Sequence, residues 1–202
     1  MTARDLLRTA GRDLLGMVGC VVLLAALPAC DAPAPRPAAV APGSVGSAVA
    51  VPAPMPVELA YVAHMAEHHR QALRLVRILH ERGGVPYRTA NLADHIAATQ
   101  AGEAADMTEF LKAWGAGKPA GHEHTSAVLS EAQIRSLRRS SGAAAGRLFL
   151  QLMIVHHRGA VEMSTQMLPM ADNPWVISLA RHVIADQRVE IGSMQRILDT
   201  HE

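Results

Sequence analysis

Two His-His pairs lie 88 residues apart in this chain, each set in the same short pattern. The first is Tyr61-x-x-x-Met65-x-x-His68-His69-Arg70-x-Ala72, and the second is Phe149-x-x-x-Met153-x-x-His156-His157-Arg158-x-Ala160. Imidazole is a ligand for copper, zinc, iron and nickel, and a thioether shifts the preference toward Cu(I). On a helix, Met65 stands one turn before His69 and Met153 one turn before His157, on the same face. These residue types at this spacing point to capture of a transition metal, copper foremost. His69 and His157 would be the central ligands.

A second block repeats at an offset of 87 residues: Leu92-Ala93-x-His95, Gln100, Glu103 and Met107 match Leu179-Ala180-x-His182, Gln187, Glu190 and Met194. Two blocks recurring in order at nearly one offset mark an internal duplication. Glu103 and Glu190 are oxygen donors that serve either a metal or a buried imidazole. A buried carboxylate or imidazole needs a partner, because leaving it unpaired costs several kcal/mol. The candidate metal set is therefore Met65, His68, His69, His95, Glu103, Met153, His156, His157, His182 and Glu190. The competing reading assigns the same residues to structural His–Glu layers that fix helix register, in a module that binds no metal and recruits a protein partner. Duplication favours neither, since a packing motif would be copied as faithfully as a metal site.

Other chemistry has less support. Both cysteines, Cys20 and Cys30, precede residue 31, so the later chain offers neither a disulfide nor a thiolate ligand. A di-iron bundle enzyme would use Glu-x-x-His on two helices, and no Glu of the expected helices has His three residues on. No Ser-His-Asp pattern or phosphate loop stands out, so an enzyme is the less expected outcome. Met107, Met163, Met167, Met170 and Met194 read as core filler, a common use of Met at helix interfaces. His80 and His201 sit near helix ends, where a cation suits the dipole. His122, Glu123 and His124 fall in the loop between the repeats.

The elements that must position these residues are helices. The chain is rich in Ala, Leu and Met and poor in aromatics, which favours helix. The first repeat reads as a hairpin, with one helix over about 57–81 and a second over about 86–114. Gly83-Gly84 ends the first helix and Pro86 opens the second. Residues 115–129 form a loop, and Ser130-x-x-Gln133 resembles a capping box opening a short helix over about 131–140. The second repeat gives a helix over about 143–169 and another from Asn173-Pro174 to about 200, with Asn173 as N-cap. Long helices joined by tight turns pack antiparallel, so the expected fold is all-α, a four-helix bundle of two repeated hairpins.

Helical periodicity places His69 at the centre of an apolar stripe through Val62, Met65, Ala72, Leu73, Val76 and Leu79. His68 falls near its edge and His64 outside it. His157 is central in the second repeat, with His156 flanking. Glu103 lies inside the stripe of its helix with His95 at one side; Asp186 and Glu190 lie inside theirs with His182 beside them. Folding the first hairpin about residue 84 brings His69 level with Thr99, one turn from His95 and from Glu103. The second hairpin brings His157 near Asp186 and Glu190.

The first 29 residues read as an address. Arg4, Arg8 and Arg12 precede an apolar run, 14–27, that is shorter than the roughly 20 residues a membrane span needs. Leu27, Ala29 and Cys30 resemble a bacterial lipobox, in which the Cys is lipidated after cleavage. Residues 31–56 carry seven of the chain's 12 prolines, and such a segment reads as an extended or disordered tether. The expected organisation is a lipoprotein signal over 1–29, a lipidated Cys30 and tether over 30–56, and the bundle over 57–202, with repeats 57–114 and 143–201. The protein would be anchored in the cell envelope and face the periplasm or exterior. The formal charge of +1 gives no basic footprint for nucleic acid.

The segments FLQLMIVHHRGAVEMSTQML and LARHVIADQRVEIGSMQRIL resemble the bacterial family DUF 305, over about residues 58–200. The resemblance implies a ferritin-like bundle, export from the cytoplasm and, in some members, copper binding and metal tolerance. Many members have an acidic residue shortly before the Phe of the second repeat; here that stretch is Ala145-Gly146-Arg147.

Overall fold

Apolar periodicity, caps and turn residues yield five α-helices among the described residues. The computed structural model describes residues 51–116 and 128–200, all within one compact unit, Ala48–Glu202. Cys30, the signal segment, most of the tether, His122, Glu123, His124 and His201 lie outside the described residues.

Helix α1 spans Pro56–His80, with proline in the first turn, where its missing N–H costs nothing. Gly84 takes a left-handed φ of 73°, and Tyr87–Ala113 follows as α2 with Pro86 as its N-cap. The short α3, Glu131–Arg139, opens on the expected capping box between Ser130 and Gln133. Helix α4 spans Gly142–Met167 and tightens into a 3-10 turn at Leu168–Met170. Helix α5, Pro174–Asp199, is capped as expected: Asn173 Oδ1 accepts from the Trp175 and Val176 backbone N–H groups at 3.0 and 3.3 Å. Among the described residues there is no strand, and no helix is long and apolar enough to cross a membrane.

The hairpins α1–α2 and α4–α5 pack on each other chiefly through α1 and α4. These two run antiparallel, because Tyr61 meets Ser164, His68 meets His156, and Gly83 accepts a backbone bond from Gly142 at 2.8 Å. His68 and His156 are also repeat equivalents, so the internal two-fold axis of the duplication passes between them. Two apolar clusters fill the bundle. One holds Leu75, Leu79, Phe149, Met153 and Met194; the other holds Tyr61, Met65, Met107, Ala160 and Val183. Along α1 and α4 the four paired histidines fall between these clusters, as one polar layer.

Glu58, a residue the periodicity argument passes over, ties the outer end of α1 to the α4–α5 connection. Its buried carboxylate accepts from Met55 N at 2.7 Å and from Asp172 N and Asn173 N at 2.8 Å each. The repeat equivalent is Gly146, where the resemblance would favour an acid. A Cβ there would meet Pro86 Cδ at 3.1 Å, so α4 approaches the α1–α2 turn closely and a side chain would require the proline to give by a few tenths of an ångström.

Candidate functional site

Buried imidazoles at the centre of a bundle must be held by helices that face one another, and the duplication supplies that arrangement twice. His69 and His157 are fully buried, at 0% exposure. In each, Nε2 lies 2.7 Å from a glutamate oxygen of the partner helix in its own hairpin: Glu103 Oε2 for His69 and Glu190 Oε2 for His157. A carboxylate only accepts, so each Nε2 carries the proton and donates. Each ring's other nitrogen, Nδ1, is buried with no hydrogen-bond partner among the described residues.

His68 and His156 were expected at the edges of their stripes and are buried instead. Their rings stack with centroids 3.6 Å apart and planes inclined by 29°. The reason is that each helix packs against two neighbours: residues at the edge toward α2 or α5 are central toward α4 or α1. Neither ring nitrogen of His156 makes a well-formed hydrogen bond, although the His68 backbone approaches closely enough to favour its charged form. Its protonation is held well below the usual histidine range, first by burial and then by the charges of His68, His157 and His69. Both amide atoms of buried Gln100 and Gln187, one turn before Glu103 and Glu190, are likewise without partners. Met65, Met107, Met153 and Met194 are fully buried at either side of this layer.

The second oxygen of each glutamate reaches the opposite hairpin. His182 Nε2 lies 2.9 Å from Glu103 Oε1, and His95 Nε2 lies 4.0 Å from Glu190 Oε1. Glu103 therefore holds a buried histidine of its own repeat and an exposed histidine of the other, whereas Glu190 holds its own repeat's histidine and has His95 only at ion-pair range. Of the two residues one turn from His69 across the hairpin, Glu103 bonds it and His95 points instead toward Glu190 of the other repeat. Sequence spacing shows which residues are level within a hairpin, but not which face of α2 meets α5, so this crossing has no signal in the periodicity.

Asp186 was expected inside the α5 stripe beside Glu190. It is instead 50% exposed, and its Oδ2 lies 3.2 Å from His182 Nε2, one turn away on the same helix. Its i,i+4 spacing from His182 is the signal that could have found it. Glu103, His182 and Asp186 each offer one donor atom within 4.8 Å of the others. A cleft of about 210 Å³ opens beside them, lined by Glu103, Asp106, Trp175, Ser178, Leu179 and His182. Trp175, on its wall, stacks on Phe110 with centroids 4.0 Å apart. Near the other end of α1, His80 pairs with Asp94 at 2.9 Å and takes no part in the layer.

The family model described as "Domain of unknown function (DUF305)" matches residues 58–198. No curated protein matches the chain. Among solved structures, a DUF305 fragment from Deinococcus radiodurans is similar at 37% identity and a TM-score of 0.67, covering 74% of this chain and 99% of that one. A DUF305 protein from Streptomyces coelicolor, assigned as secreted, is similar at 26% identity and a TM-score of 0.66, covering 71% and 91%. CopM in its Cu(I)-bound form shares the fold at 22% identity and a TM-score of 0.61, covering 71% and 96%.

Proposed function

The chain belongs to the DUF305 family, and from that premise we propose that it is an extracytoplasmic protein that binds a transition metal, copper first, at the histidine layer. One observation carries this reading: the buried, unpartnered Nδ1 atoms of His69 and His157, whose Nε2 atoms donate to Glu103 and Glu190. Metal-ligating histidines commonly donate their second ring N–H to a carboxylate, which fixes the tautomer and leaves the first nitrogen's lone pair for the ion. A buried polar atom left unsatisfied costs about 1–3 kcal/mol. Two such atoms at repeat-related positions, with both nitrogens of His156 beside them, fit a site whose remaining partner is a ligand. A purely structural layer would account for the Nε2 bonds and leave the Nδ1 atoms unexplained.

The donor set suits copper: imidazole nitrogen from His68, His69, His156 and His157, with thioether sulfur from Met65 and Met153 nearby in the core. Glu103 and Glu190 then orient the ligating rings, and His95 and His182 stand at the rim. Structures of CopM in Cu(I)-bound and Cu(II)-bound forms, at 22% and 20% identity, support copper as the metal to test. The secreted assignment of the Streptomyces relative supports a site outside the cytoplasm. Cys30 would carry a lipid that holds the protein at the envelope, in metal homeostasis or tolerance; Cys30→Ser would then release it from the membrane fraction.

The deciding experiment is a Cu(I) competition titration of the full chain, purified in detergent, against its His69→Ala/His157→Ala variant. The reading requires stoichiometric copper in the first and its loss in the second, at unchanged helix content. Equal copper uptake by both, or none by either, removes it.

A further inference from the structure

The two rims of the histidine layer are not equivalent. We propose that Glu103, His182 and Asp186 form a divalent-cation site of their own, present on one rim and missing from the other. This goes beyond the reading of the core, because the donors, the exposure and the class of ion all differ.

The geometry starts from Glu103. Its Oε2 is held by buried His69 at 2.7 Å, so its Oε1 is fixed facing the rim, 2.9 Å from His182 Nε2. Asp186 Oδ2 reaches the same nitrogen at 3.2 Å. One N–H lies between two carboxylate oxygens and cannot serve both at full strength, while the carboxylates repel each other. A dication satisfies all three groups at once. Two carboxylates and one imidazole suit Zn²⁺ or another borderline divalent ion and offer nothing to favour Cu(I).

The other rim shows what the duplication lacks there. His95 and Glu190 are the equivalents of His182 and Glu103, but they stand 4.0 Å apart. Thr99 occupies the place of Asp186, and its hydroxyl is turned back onto the His95 and Ile96 carbonyls of its own helix, at 3.2 and 3.1 Å. The surrounding charge differs in the same sense. Asp106, which lines the cleft beside Glu103, has Ser193 as its counterpart, and Trp175 has Arg88. One rim thus gathers Glu103, Asp106 and Asp186, while the equivalent positions on the other are Glu190, Ser193 and Thr99. An acidic, partly enclosed cleft concentrates cations, which favours an ion at the first rim.

Zinc is the probe, because it is redox-silent and separable from Cu(I). Calorimetric titration of the full chain with Zn²⁺ should include a site that Asp186→Asn weakens by roughly tenfold or more, at least the size of an outer-shell effect. Thr99→Asp should add one further zinc equivalent by completing the site with His95 and Glu190. Both positions are at least partly exposed, so helix content and Cu(I) uptake should stay as in the parent. Superimposable zinc titrations for the parent and Asp186→Asn overturn the proposal, as does a Thr99→Asp variant that gains no zinc. Zinc behaving as expected in a protein that takes up no Cu(I) upholds this site and removes only the core reading.

Discussion

His68 and His156 face each other ring to ring, 3.6 Å between centroids, at equivalent positions of two repeats. Such a contact is tolerable only while at most one ring is charged, since two imidazolium ions at that distance in a dry core repel strongly. Burial keeps His156 as a neutral member of this pair, and neutral imidazole is the form that binds metal.

Acid should unfold this domain through His156. Burial, reinforced by the neighbouring imidazoles, holds its folded proton affinity below the ordinary value of 6.5. Between that depressed value and 6.5 the unfolded chain binds a proton that the folded chain does not. Stability is thus fully present above pH 6.5 and is lost as pH falls, at about 1.4 kcal/mol per pH unit for one proton. Urea midpoints measured from pH 7.5 down to 5 should show this slope, and His156→Phe should flatten it. A flat parent profile would contradict the account.

Glu190→Gln separates an orienting carboxylate from a merely structural one. The amide keeps an acceptor for His157 Nε2–H, so the fold should survive with a loss of about 1 kcal/mol. If Glu190 orients a metal-binding ring, Cu(I) affinity should fall roughly 10- to 100-fold. A stability change with Cu(I) affinity intact would assign the glutamate to packing alone.

Tyr61 and Ser164 offer a test of the duplication itself. The Tyr61 hydroxyl, whose proton loss burial pushes up to about 12, lies 2.8 Å from Ser164 Oγ. The repeat equivalents are Phe149 and Val76, both buried. Tyr61→Phe leaves the Ser164 hydroxyl unpaired in the core and should cost about 1–3 kcal/mol. Adding Ser164→Val copies the other repeat's apolar pair and should recover most of that loss. Thermal melts of the single and double variants give the coupling, and strictly additive losses would mean that the hydroxyl pair is not one unit.

Much of the architecture was legible because it depends on local rules. Ser130 with Gln133, Asn173 with Pro174, and Gly83-Gly84 placed helix ends to within about two residues, the usual margin. Burial of His69, His157 and Glu190 followed from their place in apolar stripes. What escaped depends on contacts between hairpins. The edge positions His68 and His156 became central because α1 and α4 face each other, and Asp186 moved outward because Gln187 takes the inward position of its turn. The crossing of His95 and His182 belongs to the α2–α5 interface, which no single-helix period encodes. At Gly146, where the resemblance favours an acid, the sequence does not reveal that Pro86 approaches within 3.1 Å of a Cβ placed there.

Glu58 should matter to the fold and not to the metal. Its carboxylate gathers three backbone N–H groups, from Met55, Asp172 and Asn173, and so joins the start of α1 to the start of α5. Hydrogen bonds to a charged acceptor contribute about 1.5–3 kcal/mol each, and truncation also strands buried donors. Bonds sharing one acceptor are not additive, so Glu58→Ala should cost about 3–5 kcal/mol rather than the full sum. The loss should appear first as faster amide exchange at Asp172 and Asn173. At a temperature where the variant remains folded, its Cu(I) and Zn²⁺ titrations should match the parent, because nothing in the histidine layer touches Glu58. A drop in metal affinity in that folded variant would show that the end of the bundle and its centre are coupled.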